Sequence, residues 1–240
     1  MAEAGAAKPP VMIITGTRKG IGRFLVDRYL ARGYLVAGCS RDKFDEPLPE
    51  NYSHYCLDVA DEKGVVSMVR DVSKRLGPIS VLINNAGIAS MNHLMLTPLS
   101  TVQRVFSTNV FGTFNAMREV AKIMMVAKYG RIVNFATVAT PLNLEGEAAY
   151  AASKAAVESL TRVAARELAP FNVTVNAVGP TPVLTDLIRT VPKQKMDALI
   201  ASQAIRRMGE HRDVANVIDF FISPDSDFIT GQTVFLGGIN

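Results

Sequence analysis

Val11-Met12-Ile13-Ile14-Thr15-Gly16-Thr17-Arg18-Lys19-Gly20-Ile21-Gly22 decides how this chain reads. Its first four residues are a short unbroken apolar run, as in a strand buried on both faces. Glycines follow at 16, 20 and 22. Past them, Ile21, Phe24, Leu25, Tyr29 and Leu30 recur at helical spacing until Gly33. Tyr34 to Cys39 is strand-like again. This βαβ order fits a parallel sheet covered by helices.

The same alternation continues. Residues 42–52 carry Pro47 and Pro49 and are expected to form a short loop, not a crossover helix. Strands are expected at Ser53–Leu57, Ile79–Ile83, Gly130–Thr137, Phe171–Val178 and Gly231–Leu236. Helices are expected at about Asp61–Leu76, Ser100–Lys128, Glu147–Leu168 and Arg212–Ile222, with mixed helix and loop over 183–208. Asn109, inside the long helix, is a mediocre helix former; it is either a tolerated surface residue or a polar link through a local kink.

Composition narrows the classes. A chain of 240 residues can bury a substantial single-domain core. Charged residues are 20% and apolar ones 48%, which is globular composition. The net charge of +4, with no basic block beyond Arg18-Lys19 and Arg206-Arg207, suggests a nucleic-acid interface only weakly, and a small anionic ligand suits it equally well. Cys39 and Cys56 cannot build a disulfide framework and are expected as buried, reduced thiols of a cytoplasmic protein. Residues 1–10 read as a loose tail, with the folded domain over 11–240. No apolar run reaches the roughly 18–20 residues that span a bilayer.

Three stretches carry chemistry. The glycine turn opens a helix, where free N–H groups and a partial positive charge suit a phosphate. Its spacing, Gly-x-x-x-Gly-x-Gly, is not the commonest dinucleotide fingerprint, and a tight structural turn has the same look. The second strand ends at Ser40-Arg41. Arg41, with Arg18, Lys19 and Ser40, would clamp a 2′-phosphate and favour NADPH, although Asp42 follows at once. Asp58, after the third strand, either meets an adenine amino group or, like Asp61, caps the next helix. Finally, Tyr150 and Lys154 stand four apart on one helix face. A cation beside a phenol favours the phenolate, making the pair a candidate acid–base device; an ordinary surface pair has the same spacing.

Taken in order, Thr15-Gly-x-x-x-Gly-x-Gly22, Asn84-Asn-Ala-Gly87, Asn109, Thr137, Tyr150-x-x-x-Lys154 and Gly179-Pro180 resemble the short-chain dehydrogenase/reductase family over about residues 10–238. Arg207-x-Gly209, Asp213-Val214-Ala215 and Ile229-Thr230-Gly231-Gln232 are similar to bacterial 3-oxoacyl-carrier-protein reductases. The resemblance implies an α/β, single-domain Rossmann fold with a doubly wound, seven-stranded parallel sheet. It also implies a homotetramer or homodimer. It implies hydride transfer between a nicotinamide and a carbonyl or alcohol carbon. Tyr150 would give the proton, Lys154 would lower its pKa and hold the ribose, Thr137 would polarise the carbonyl, and Asn109 would anchor a water. Gly16, Arg18, Lys19, Gly20, Ile21, Gly22, Ser40, Arg41, Asp58, Val59, Asn84, Ala86, Gly87, Pro180, Val183 and Thr185 would join Tyr150 and Lys154 around the cofactor, with NAD(H) the alternative to NADPH. The partner is a small carbonyl compound, free or linked to a carrier protein or CoA, with no metal, nucleic acid or membrane.

The chain departs from the family at Thr137 (usually serine), Thr181 (usually glycine) and Leu236 (usually aspartate), and in its short 42–52 connection. Substrate walls are expected from 88–96, 138–147 and the loop region 181–208, with Met91, Leu94, Met95, Leu142, Leu144 and Leu187 as apolar lining or plain core. The competing classes are an NAD-dependent alcohol or sugar dehydrogenase and a non-catalytic dinucleotide sensor.

Overall fold

The structure, a computed structural model, describes residues 8–44, 47–185 and 191–239. Seven strands form one sheet: β1 (Val11–Thr15), β2 (Leu35–Ser40), β3 (Tyr52–Cys56), β4 (Ile79–Asn84), β5 (Gly130–Phe135), β6 (Val173–Gly179) and β7 (Thr233–Phe235). Their order across the sheet is β3-β2-β1-β4-β5-β6-β7, and every pairing is parallel. The strand order reverses between β1 and β4, so a crevice opens at their carboxyl ends.

Alternation along each strand sorts the core into two layers. Val11, Ile13, Ala37, Leu82, Ile132 and Val175 face one side. They pack on α2 (Glu62–Leu76), α4 (Gly112–Ala127) and α6 (Ala148–Leu168). Met12, Ile14, Val36, Ile83, Val133 and Val178 face the other side, against α1 (Gly20–Leu30) and α8 (His211–Ile222). Asp61 caps α2, accepting from Lys63 N at 3.1 Å. A capping box at Glu210 and Asp213 opens α8. The remaining helices are α3 (Leu99–Phe106), the single turn α5 (Ala139–Leu142) and α7 (Lys193–Ser202).

Several expectations change. The helix foreseen over 100–128 is interrupted by a π-helical segment, Ser107–Phe111, with Asn109 at its centre, so the local kink is real. The connection from β2 to β3 has no helix among its described residues, as the prolines implied. β5 stops at Phe135, which leaves Thr137 beyond the strand. Cys39 is buried, but Cys56 is exposed, because β3 is the sheet's edge strand and its last residue faces solvent. Of the expected tail, residues 1–7 lie outside the described residues, as does Asn240. No described helix is long and apolar enough to cross a membrane.

Leu82 is fully buried in the central strand β4. Leu82→Ala should therefore lower unfolding stability by about 2–5 kcal/mol. Urea denaturation should show a lower midpoint with an unchanged slope.

Candidate active site

The site begins with the glycine turn. Gly16 has φ +73°. Its N–H and that of Thr17 donate to Cys39 O at 2.9 and 3.1 Å, tying the turn to β2. On the other side the loop after β4 holds it. Asn85 Nδ2 donates to Thr15 O and Gly16 O at 2.9 and 3.0 Å, and Ala86 N donates to Thr15 Oγ1 at 3.0 Å. There is no room for a side chain: a β-carbon on Gly22 would stand 2.0 Å from Gly16 O and 2.6 Å from Asn85 Nδ2.

From this junction a groove of about 400 Å³ runs over Gly16, Arg18, Lys19, Gly20, Ile21, Gly22, Ser40, Arg41, Asp58, Val59, Ala86, Gly87 and Thr185. These are expected cofactor residues, brought together. Asn84 is not among them. Its side chain is buried in the sheet, where its Nδ2 donates to Asn134 Oδ1 at 2.8 Å; the amide facing the groove is the next one, Asn85. Adjacent strand residues point to opposite sides, so a one-residue shift moves the side chain out of the crevice. At the far end Arg18 pairs with Asp42 at 3.0 Å. The Ser40 hydroxyl donates to Asp42 O at 2.7 Å and meets His54 Nε2 at 3.0 Å. His54 had carried no signal beyond strand spacing, and its partner Tyr52, expected in the 42–52 loop, is the first residue of β3. Asp58 Oδ1 accepts from Ala60 N at 2.9 Å, while Asp61 holds the cap.

A second cavity, of about 210 Å³, continues from the groove past Asn85, Gly87 and Ile21. Thr137, Tyr150, Lys154, Pro180 and Val183 line it. Thr137 Oγ1 accepts from Ala139 N at 3.2 Å. Lys154 Nζ donates to Phe135 O at 2.8 Å. The expected lowering of the phenol pKa is absent in this arrangement. Burial pushes Tyr150 up to about 12, a hydrogen bond with Thr137 pulls against it, and the Glu147 carboxylate adds to the rise. Burial likewise pulls the Lys154 ammonium down to about 8. Both groups lose water, and that loss is the largest cause of each shift.

Asn109 serves as a clamp. Its Oδ1 accepts from Ile88 N at 2.8 Å, and its Nδ2 donates to Ile88 O at 2.9 Å and to Ser153 Oγ at 3.0 Å. Its own carbonyl accepts from Thr113 Oγ1 at 2.8 Å. Of the expected wall residues, Met91 and Leu144 line the cavity. Leu94 and Met95 stand exposed on a 3-10 turn, Leu142 is off the lining, and Leu187 lies outside the described residues. Glu147, Met196 and Leu199, which also line it, fall within the expected wall segments 138–147 and 181–208 but were not singled out by residue. Glu147 had been visible as a helix start and as the end of the 138–147 wall segment, and α7 carries no motif.

The groove fits a dinucleotide on one further observation. A β-carbon on Gly20 would meet nothing nearer than Thr185 Cγ2, at 3.4 Å, so backbone is bared to the groove at the amino end of α1. Among the described residues no cluster could hold a metal ion.

Comparison with known proteins agrees with this geometry. A family model described as enoyl-(acyl carrier protein) reductase, of the adh_short_C2 type, matches residues 16–239. A 3-oxoacyl-acyl-carrier-protein reductase (FabG) of Staphylococcus epidermidis is 33% identical over 235 residues, covering 94% of this chain and 96% of the relative. Among solved structures, NAD+-bound xylitol dehydrogenase superposes with a TM-score of 0.87 at 29% identity, over 96% of this chain and 98% of that one. ElxO with NADP bound gives 0.87 at 31% identity, over 95% and 97%.

Asn109→Ala leaves the Ile88 N–H and C=O and the Ser153 hydroxyl short of a partner. It should cost about 1–3 kcal/mol for each group left unsatisfied, read as a lower thermal midpoint, and should weaken dinucleotide binding by loosening the 85–88 loop.

Proposed function

The chain belongs to the short-chain dehydrogenase/reductase family and is an NAD(P)-dependent oxidoreductase of CH–OH and C=O groups, and from that premise we propose that it is an NADPH-dependent reductase of a ketone. The observation that carries this reading is the meeting of Tyr150, Thr137 and Lys154 on one cavity that opens from the glycine groove.

When bound, a reduced nicotinamide supplies the hydride. The chain's own residues do the rest. Gly16, Gly20 and Gly22 let backbone N–H groups approach the phosphates. Thr137 donates a hydrogen bond to the substrate oxygen and fixes its direction. Tyr150, holding its proton at neutral pH because burial raises its pKa, passes that proton to the same oxygen. Lys154 then stabilises the phenolate that forms. The apolar wall of Met91, Leu144, Met196 and Leu199 excludes water from the reacting centre. Similarity to the Staphylococcus epidermidis reductase supports a 3-oxoacyl thioester as the ketone. Arg41, Arg18 and Lys19 around the adenosine end support NADPH.

One observation favours NADH instead. Asp42 lines the same end and neutralises Arg18, so a carboxylate stands where a 2′-phosphate would go. Exposed Phe111, Phe114 and Val163, on the π segment, α4 and α6, support self-association through these helices.

An NADPH-oxidation screen over short 3-oxoacyl thioesters, steroid-like ketones, quinones and keto-sugars should find at least one substrate; no turnover across it despite NADPH binding would point to a sensor. Tyr150→Phe should abolish turnover while NADPH still binds, and retained activity would remove the proton-donor role. Arg41→Ala should weaken NADPH and spare NADH, shifting the Kd ratio about tenfold or more; an unchanged ratio would remove the clamp. Because the phenol must ionise to accept a proton, alcohol oxidation should climb toward alkaline pH while ketone reduction holds through neutral pH.

A further inference from the structure

We propose that Glu147 selects the substrate: its carboxylate, in the wall of the reaction cavity, accepts a hydrogen bond from a donor on a neutral carbonyl compound and turns away keto acids. This rests on the reductase reading and deepens it.

Glu147 precedes Tyr150 by three residues at the start of α6, so the two side chains share a face. Both line the same cavity. Glu147 is half-buried, yet its carboxylate makes no hydrogen bond to any described residue and caps no N–H of its own helix. A half-buried carboxylate without a protein donor is partly desolvated, and a ligand donor would add a charge-assisted hydrogen bond there. Around it, Met91, Leu144, Met196 and Leu199 offer nothing polar. Glu147 is therefore a charged acceptor beside these four apolar side chains, in a cavity that Thr137, Tyr150 and Lys154 also line.

The charged and titratable groups that bear on Glu147 are Lys195 from α7 and Tyr150 on its own helix. Lys195 Nζ hangs over the preceding residue, 3.7 Å from where a β-carbon on Gly146 would stand, and forms no ion pair with Glu147 within contact distance. Burial raises the Glu147 carboxyl above the ordinary carboxylate range, and Lys195 opposes that rise. A substrate carboxylate set against this wall meets a like charge at Glu147, while the Lys154 ammonium in the same cavity is turned to Phe135 O at 2.8 Å. A hydroxyl, amine or protonated donor meets an acceptor instead.

The test compares kcat/KM with NADPH for ethyl acetoacetate and for acetoacetate, a neutral and an anionic form of one β-keto skeleton. The wild-type protein should favour the ester by about tenfold or more. Glu147→Gln, of equal size but uncharged, should shrink that preference by about an order of magnitude, chiefly through faster use of the acid. Lys195→Met should enlarge it. In Glu147→Gln the alkaline rise of alcohol oxidation should move to lower pH, because a negative charge beside the phenol is gone; a merely structural role would leave that profile in place. NADPH affinity, followed by the cofactor's fluorescence, reports that the variants are folded. A wild-type protein idle on every carbonyl compound overturns the reductase reading and this selection with it. An active protein whose ester-to-acid ratio is the same in Glu147→Gln overturns the role of Glu147 alone.

Discussion

The Asn85 amide, holding the carbonyls of Thr15 and Gly16, is the contact on which the site depends. It fixes the glycine turn against the loop after β4 at a distance only backbone can reach. From that loop a continuous polar path leads to the main-chain carbonyl of Tyr150. Ile88 is bonded twice to Asn109, Asn109 Nδ2 reaches Ser153, and Ser153 Oγ donates to Tyr150 O at 2.7 Å. A π segment makes the path geometrically available, since the extra residue per turn swings Asn109 inward to full burial. The groove and the cavity are thus parts of one hydrogen-bonded body, built from four separate stretches of chain.

Burial gives the same body its electrostatic character. The Tyr150 phenol and the Lys154 ammonium both lie deep, and desolvation drives each toward its neutral form. The adenosine end differs. There Arg18, Asp42, Ser40 and His54 form an exposed to half-buried network in which charges are paired at the surface. Surface pairs of this kind are screened and weak, so a multiply charged ligand can rearrange them easily.

Much of this was legible in the chain. The strand–turn–helix opening and the alternating pattern rest on short-range spacing and gave a parallel sheet covered by helices, while the seven-stranded fold and most of the groove residues came from the resemblance that the ordered motifs carry. What was hidden depends on direction or on distant segments. Choosing between Asn84 and Asn85 required knowing that β4 ends at Asn84, whose side chain stays in the sheet, and that Asn85 opens the loop beside the groove. Cys56 looked buried because an edge strand has the same local composition as a central one. Glu147, Met196 and Leu199 were legible only as parts of the expected wall segments 138–147 and 181–208, because nothing nearby in sequence tells which of their side chains face the cavity. The raised Tyr150 pKa follows from a degree of burial that spacing does not convey.

The all-parallel order β3-β2-β1-β4-β5-β6-β7 has a kinetic side. No two neighbouring strands are joined by a hairpin, and β1 must find β4 across the whole of α1, β2, β3 and α2. Long loops close before their contacts reward them, which slows folding and leaves strand edges bare meanwhile. The crevice is made at that same late junction between β1 and β4, so the chain completes its binding groove only as the two halves of its sheet come together.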